Sequence, residues 1–388
     1  MEQKNQNMII GIVKEIMEGE LRVSAIPETV KKYTDMNCSV LVEKNAGTGS
    51  HFSDEDYAAA GAEIVDDCVE IFKRADVVLK VKEPQFNSAK NMHEVEMMKK
   101  GQYLITFLHP AAPANRKMIR DLADKGVISL TLDAVPRISR AQGMDALSSM
   151  SACAGYKGML MAANDIAKFL PPVGSAVGMI RPANVFVIGA GVCGLRAIAT
   201  AKGLGASVYS ADIRPEASEQ AKSLGAKIVE TGIPAEIAVS PDGKHANALS
   251  GEWLAVLRKN IAGTIRNADI VFCSALVFGK TAPVILTGDM VQTMKPGSCI
   301  VDVSIDQGGN CAITTPGKTD TKHGVIINGI KNIPGLIPTS STWLFASNVF
   351  NMVRYLFRDG KIVLDMNDEI VSSVWVTNDG KVSPDFQD

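Results

Sequence analysis

The sequence predicts an α/β protein with two doubly wound parallel-sheet domains, joined by long helices and separated by a cleft. Two observations favour this fold class. Short β-branched runs alternate with amphipathic segments through the first third of the chain, and a second series of the same kind runs from Ala183 to about Ile327. Such alternation is typical of parallel sheets whose strands are connected by helices. A length of 388 residues suits two domains of ordinary size.

The elements of the first domain follow from local patterns. Five apolar runs are predicted strands: Met8–Val13, Ser39–Glu43, Asp76–Val81, Tyr103–Leu108 and Val127–Leu132. Between them lie helical patterns, among them Pro27–Asp35, where proline occupies a first helical position, and Asn115–Lys125. These elements predict a sheet covered by helices on both faces.

Two long helical candidates bracket the middle of the chain. A polar loop, Arg137–Asp145, leads into the first candidate, which runs to about Phe169, and the second spans Ser341–Phe357. The chain is therefore expected to leave its first domain and return to it. We predict a discontinuous outer domain of residues 1–140 and 341–388 around an inserted domain of residues 141–340.

Composition and charge narrow the function. Hydrophobic residues make up 46% of the chain, which excludes a disordered protein. A net charge of −2 and an aromatic content of 5% argue against a nucleic-acid partner. The seven cysteines form no zinc-ligand spacing, so we expect reduced thiols, a cytoplasmic location and no metal. Charges and prolines interrupt the most apolar stretch, Met159–Ile180, so no membrane insertion is expected.

A glycine fingerprint opens the second series. The predicted strand Val185–Ile188 runs directly into Gly189-Ala190-Gly191-Val192-Cys193-Gly194, and the predicted helix Leu195–Leu204 follows. In this pattern the first glycine turns the chain, the second lets backbone approach a pyrophosphate, and the third lets helix pack on strand. The N–H groups at the helix start would bind the phosphates. These six residues therefore predict a Rossmann-like dinucleotide site, the alternative being a glycine turn that binds no dinucleotide.

An acidic residue at the end of the next strand indicates the cofactor. Asp212 lies about 20 residues beyond Gly189, where a carboxylate can bond ribose hydroxyls and would repel a 2′-phosphate. This favours NAD(H) over NADP(H), although Arg214 is close enough to weaken the preference. The remaining candidate cofactor-binding residues of this domain are Ile213, Ala275 and Leu276.

Several further motifs resemble one known family. They are Gly11–Glu15 followed by Arg22-Val23, Ala46–Gly49, Lys80–Pro84, Met294–Ser298 and Gly308–Asn310. On these motifs, which extend nearly end to end, the sequence is identified as a member of the alanine dehydrogenase and proton-translocating transhydrogenase superfamily. The resemblance implies an NAD(H)-dependent oxidoreductase assembled from identical subunits, at least a homodimer.

The segment Pro136–Ser149, here called the signature loop, resembles the NAD(H)-binding α-subunit of the transhydrogenase branch. The resemblance implies that Arg137, Gln142, Asp145 and Ser148 hold the nicotinamide and its carboxamide. We expect an Arg–Asp pair to fix the loop; the alternative is a solvated loop that caps the next helix. In this branch the NADP(H)-binding and membrane-embedded subunits would be separate chains, and this one would work at the cytoplasmic face of the inner membrane.

Four other residues resemble the catalytic set of alanine dehydrogenase: Arg22, Lys82, His109 and Asp306. An arginine can bind a substrate carboxylate, a lysine can stabilise a polarised oxygen, and histidine or aspartate can move protons. Taken singly, each residue has an ordinary structural role as the alternative, such as a surface ion pair or a turn cap.

Three functions therefore stay open. The first is the transhydrogenase α-subunit, the second a free-standing alanine-type amino acid dehydrogenase, and the third an NAD(H)-binding module without catalysis. One departure concerns the transhydrogenase branch, where His245 occupies the place of an aromatic residue in a mobile loop over the cofactor. Loop closure is expected to differ there.

Overall fold

A computed structural model describes residues 7–240, 246–277 and 280–387. The chain divides into two compact units, Met1–Met150 with Gly335–Asp388, and Ser151–Pro334. Each unit contains a sheet dominated by parallel strands, which confirms the predicted α/β class with two doubly wound sheets.

The first unit is built on an eight-stranded sheet. From edge to edge its strands are Lys381–Val382, Trp375–Asn378, Ile128–Thr131, Tyr103–Thr106, Val77–Leu79, Ile9–Ile12, Ser39–Glu43 and Ala62–Val65. The first two are antiparallel to their neighbours and the other six are parallel. Strand order reverses between Ile9–Ile12 and Val77–Leu79, and such a reversal is where open parallel sheets bind ligands.

Helices cover this sheet closely. Those of the first unit are Pro27–Asp35, Asp54–Ala59, Cys68–Arg74, Glu94–Met97, Arg116–Lys125, Pro338–Leu356 and Glu369–Val374. A Cβ on Gly11 would lie 2.5 Å from Ile71, so glycine lets the helix Cys68–Arg74 pack directly on the central strand. Both faces are buried, which explains why the central strands are apolar throughout rather than alternating.

A cluster of ionised side chains is buried in the first unit. The Lys80 Nζ lies 2.9 Å from a Glu94 oxygen and 3.4 Å from a Glu15 oxygen, and all three side chains are almost fully buried. Burial raises the pKa of Glu15 to about 7, even though the charge of Lys80 opposes that shift. One ammonium group thus faces two carboxylates, and Glu15 is the one driven towards protonation.

The second unit contains a seven-stranded sheet. Its order is Lys227–Ile228, Ser207–Ala211, Asn184–Ile188, Ile270–Cys273, Cys299–Asp302, Val325–Asn328 and Thr319–Lys322, with only the last strand antiparallel among the described residues. The helices are Val192–Gly203, Pro215–Ser223, Ala235–Ala238, Gly251–Asn267 and Gly288–Gln292. The helix Ala146–Asp165 begins in the first unit and ends in the second.

Three small hairpins complete the fold: Phe86–Asn87 with Met92–His93, Val173–Ser175 with Gly178–Ile180, and Phe357–Arg358 with Lys361–Ile362. Six of the seven cysteines are buried, Cys193 is half-buried, and none forms a disulfide. No helix within the described ranges of the chain is both long and apolar enough to cross a bilayer.

Candidate functional site

Three glycines form the turn after the strand Asn184–Ile188. Gly189 has a φ of +88°, and a Cβ there would lie 2.8 Å from the Ala275 nitrogen. A Cβ on Gly194 would collide with the Gly189 carbonyl oxygen, whereas one on Gly191 would meet no atom within 4 Å. Packing therefore requires glycine at 189 and 194 but not at 191. The open space over Gly191 is room for a group that must approach the backbone closely.

The helix Val192–Gly203 starts at this turn. Gly191 is its N-cap, has an extended backbone and provides no side-chain cap. The first N–H groups of the helix therefore need another acceptor, and the positive end of the helix dipole favours an anion. Val192 is exposed there. Burial raises the pKa of the Cys193 thiol to about 12, so this residue is a neutral packing group. The turn fits a pyrophosphate group.

Asp212 joins the end of the strand Ser207–Ala211 to the glycine turn. One carboxylate oxygen accepts the Ala190 N–H at 2.7 Å, and the other accepts the Arg214 N–H at 2.8 Å. The Arg214 guanidinium also lies 3.1 Å from the carboxylate. Ile213, half-buried, connects the two. The carboxylate is thus held beside the turn, in the position expected for a group that bonds ribose hydroxyls, and the arginine charge is already paired.

Polar residues fix the neighbouring strand end. Ala275 and Leu276 follow the strand Ile270–Cys273, and the Asn310 side chain accepts the Ala275 N–H at 2.9 Å and donates to the Ala275 carbonyl at 2.8 Å. The Asn310 amide also accepts the Ser304 hydroxyl and donates to the Pro283 carbonyl. The backbone at 275–276 is therefore rigidly presented towards the glycine turn.

Sequence reasoning missed two of the supporting residues. The Ser274 hydroxyl donates to the Gly189 carbonyl at 3.0 Å, which ties the two strand ends together. The buried Asp302 accepts the N–H groups of Asn310 and Cys311, each at 3.0 Å. Burial raises the pKa of Asp302, and these hydrogen bonds oppose the shift. A polar residue at the end of an otherwise apolar strand was the signal that could have found both.

The signature loop lies in the first unit and caps a helix. Ser139–Met144 is a short 3₁₀ helix, and the Asp145 carboxylate accepts the Ser148 N–H at 2.8 Å and its hydroxyl at 2.6 Å. The expected pairing of Arg137 with Asp145 is wrong, since no hydrogen bond or ion pair joins them in the described structure. The start of the helix Ala146–Asp165 already supplies donors to Asp145. Arg137 and Gln142 remain exposed.

Arg22 is buried in an ion pair with Glu20. The guanidinium donates from Nε at 2.7 Å and from Nη2 at 2.6 Å to the two carboxylate oxygens, and a third nitrogen lies 2.9 Å from the Met150 sulfur. Burial would raise the pKa of Glu20, but the bonds to Arg22 hold it below its usual range. The arginine that was expected to bind a substrate carboxylate thus already binds one from its own chain.

His109 forms a dyad with Asp133 that the sequence did not predict. The His109 Nδ1 lies 2.8 Å from the Asp133 carboxylate, and the ring stacks on Phe107 at a centroid distance of 5.6 Å. Burial alone would lower the pKa of His109, but the charge and hydrogen bond of Asp133 raise it above the usual value. Glu83 lies 3.9 Å from Nε2. This arrangement can hold and release a proton near neutral pH.

The remaining candidates divide between the units. Lys82, half-buried, follows the strand Val77–Leu79 in the first unit, next to the strand that precedes His109. Asp306 is an exposed residue of the second unit. His245 lies outside the described residues. Within the ranges that are described, no group of three His, Cys, Asp or Glu side chains is arranged to hold a metal ion.

Comparisons with known proteins match nearly the whole chain. Family models for the N-terminal and C-terminal domains of alanine dehydrogenase/PNT match residues 11–154 and 158–385. An NAD(P) transhydrogenase subunit alpha chain of Rhodospirillum rubrum is 38% identical over 377 residues, which cover 97% of each chain. Alanine dehydrogenase of Bacillus subtilis is 35% identical over 347 residues, which cover 86% of this chain and 82% of that one. A transhydrogenase structure from Sinorhizobium meliloti gives a TM-score of 0.84 at 36% identity, covering 96% of this chain and 99% of that one.

Proposed function

Because this chain belongs to the alanine dehydrogenase/PNT family, we propose that it is the NAD(H)-binding α-subunit of a proton-translocating NAD(P) transhydrogenase. The observation that carries this choice is the likeness to transhydrogenase α-subunits over 97% of both chains, against 86% of this chain for alanine dehydrogenase. The chain would exchange hydride with NADP(H) held by a partner subunit. Membrane-embedded subunits would complete the enzyme, with this chain at the cytoplasmic face of the inner membrane.

The glycine turn and Asp212 fit NAD(H). The free N–H groups at the start of the helix Val192–Gly203 would bind the pyrophosphate, and Ala275 and Leu276 would border the site. Asp212 would accept hydrogen bonds from the adenosine ribose. A 2′-phosphate would be repelled there, because Arg214 is already paired with that carboxylate. When bound, NADH would supply a hydride from its nicotinamide ring.

The signature loop would position the nicotinamide. Transfer between two nicotinamides is nearly balanced in energy and moves no proton at the reacting carbons, so the protein mainly supplies close approach and exclusion of water. We assign the carboxamide contacts to Arg137 and Gln142, whose polar groups are exposed. Asp145 and Ser148 bond each other and would keep the end of the loop in place.

We also propose that the subunit is a homodimer and that the hairpin Val173–Ser175 with Gly178–Ile180 is part of its interface. Val177 is 98% exposed and Met179 is 78% exposed, which is costly for apolar side chains unless a second copy covers them. Met179→Lys should convert dimers to monomers in analytical ultracentrifugation. Met366→Lys, at a 41% exposed methionine in the other unit, is the matched control. A Met179→Lys protein that stays dimeric would contradict this interface.

A second candidate function is an alanine-type amino acid dehydrogenase. The His109–Asp133 dyad favours it, because oxidative deamination needs a group that takes up and releases protons, and Lys82 lies at the adjacent strand end. Arg22 weakens it. In such an enzyme a guanidinium must bind the substrate carboxylate, and this one already forms a buried bidentate pair with Glu20.

One pair of assays distinguishes these functions. With NADH and a purified NADP(H)-binding transhydrogenase subunit, the chain should reduce an NADP analogue. With NADH, pyruvate and ammonium alone, it should show no rapid loss of nicotinamide absorbance. Rapid turnover in the second assay that disappears in Lys82→Ala or His109→Ala would overturn the transhydrogenase assignment. Tight NADH binding with neither reaction would instead indicate a module without catalysis.

A further inference from the structure

We propose that Asn348 and Asn351 are positioning residues for the hydride-transfer reaction, because their side-chain amides clamp the backbone carbonyl of Gly143 in the signature loop. Both amide groups donate to that one oxygen, each at 2.9 Å. The inference rests on the proposed function, since it concerns the loop to which we assign the nicotinamide. It adds two residues that lie more than 200 positions away in the sequence.

The two asparagines share one face of a helix. Residues three apart project from the same side, so the helix Pro338–Leu356 presents both amides to the loop. A Cβ on Gly143 would lie 3.1 Å from the Asn351 amide nitrogen, so the loop backbone approaches the helix closely. The contact is a backbone clamp and leaves the side chains of the loop free.

A second anchor holds the loop three residues earlier. The Arg140 guanidinium lies 2.9 Å from the Tyr355 hydroxyl and 2.8 Å from the Asp368 carboxylate. The Tyr355 hydroxyl also donates to Asp368 at 2.7 Å. Burial would raise the pKa of Asp368, but the bonds from Tyr355, the backbone and Arg140 lower it to about 2, so this anchor is charged throughout the physiological range.

Gln142 lies between the two anchored positions. Ala141 and Met144 are buried, so the short 3₁₀ helix can rotate little about its axis, and Gln142 is directed to the exposed side. Fixing the backbone at 140 and at 143 therefore fixes where the Gln142 amide points. A residue that must contact a nicotinamide needs this kind of support.

The unused acceptor of Asn348 argues against a merely structural role. Its Oδ1 is buried and forms no hydrogen bond within the described structure. A buried acceptor without a partner lowers stability. An apolar side chain would fill the same place without that loss. Asparagine at 348 is thus explained by the donor that it supplies to Gly143.

The test is the double variant Asn348→Ala/Asn351→Ala. Ser347→Ala is the matched control, because Ser347 is on the same helix and its hydroxyl donates only to the Trp343 carbonyl in the described structure. Two lost hydrogen bonds should open the loop about 30-fold more often. Hydrogen exchange should therefore accelerate at the Ala141 and Asp145 amides, which are bonded within the loop.

Kinetics separates positioning from folding and from cofactor affinity. With the NADP(H)-binding subunit present, we expect kcat to fall at least tenfold, while calorimetry on the chain alone gives an NADH Kd within twofold of the unmodified chain. Asn351→Gln, which keeps an amide donor at a half-buried site, should retain most of the activity that Asn351→Ala loses. These single variants keep the test valid if the double variant does not fold.

Unchanged loop exchange, unchanged kcat, or a Kd that rises in parallel with the loss of rate would each overturn the clamp. Absence of hydride transfer in the unmodified chain would instead overturn the proposed function. In that case the exchange measurement still decides whether the clamp holds the loop.

Discussion

The difference between Gly191 and Gly194 gives a sharp prediction about the cofactor site. Both glycines belong to the same turn, yet a Cβ on Gly191 meets no atom within 4 Å, whereas one on Gly194 collides with the Gly189 carbonyl. Gly191→Ala should therefore fold normally and bind NAD(H) poorly. Gly194→Ala should be destabilised, because the helix Val192–Gly203 must move away from the strand.

The magnitudes follow from these contacts. An added methyl at 191 would keep the pyrophosphate from the backbone and remove at least one charge-assisted hydrogen bond, about 1.5–3 kcal/mol, or a Kd for NADH about 10- to 150-fold higher. The free energy of unfolding should change by less than about 1 kcal/mol, since Gly191 has an extended backbone that alanine also adopts. Overpacking at 194 should cost about 1–3 kcal/mol of stability or more.

Calorimetry with NADH and urea unfolding of each variant measure the two quantities independently. The reasoning would be refuted by a Gly191→Ala protein that binds NADH like the unmodified chain, since the open space would then not be where the phosphates lie. A Gly194→Ala protein with an unchanged unfolding midpoint would contradict the packing.

Three more predictions concern single carboxylates. Asp212→Ala should weaken NAD(H) binding by about 1.5–3 kcal/mol through loss of the ribose contact, and calorimetry that gives the same Kd would show that the strand end was misassigned. Asp133→Asn should lower the pKa of His109, because it removes the charge that outweighs burial; NMR titration of the five histidines checks this, and an unmoved midpoint for His109 would refute it. The pKa of Glu15, raised by burial to about 7, means that its contribution to stability is fully present below pH 4.5 and is lost as the pH rises through 7. Glu15→Gln should therefore lose less stability than the unmodified chain between pH 5 and pH 8 in urea unfolding, and equal losses would contradict the buried cluster.

Local signals in the sequence predicted much of the fold. The strand Ser39–Glu43 and the helix Pro27–Asp35 have the predicted bounds, because a β-branched run and an N-terminal proline determine them locally. The strand Ala62–Val65 was missed. It lies at a sheet edge and is only half-buried, so its composition lacks the apolar run that marks the central strands.

The site was predictable only where spacing along the chain determines it. The glycine turn and Asp212 lie within one strand–helix–strand unit, so their proximity follows from sequence distance. The Arg137–Asp145 pairing was wrong because a helix N-terminus competes for the same carboxylate. The dyad of His109 with Asp133 and the clamp of Gly143 by Asn348 depend on contacts across 24 and 205 positions. No local pattern encodes such contacts.

The path of the hydride itself tests the central claim most directly. NADH deuterated at the transferred position would be mixed with this chain, the NADP(H)-binding subunit and oxidised NADP, and the products would be analysed by mass spectrometry. We predict that the deuterium appears in NADPH only when both proteins are present, and that none is lost to water. Deuterium in alanine, formed from pyruvate and ammonium by this chain alone, would contradict the account.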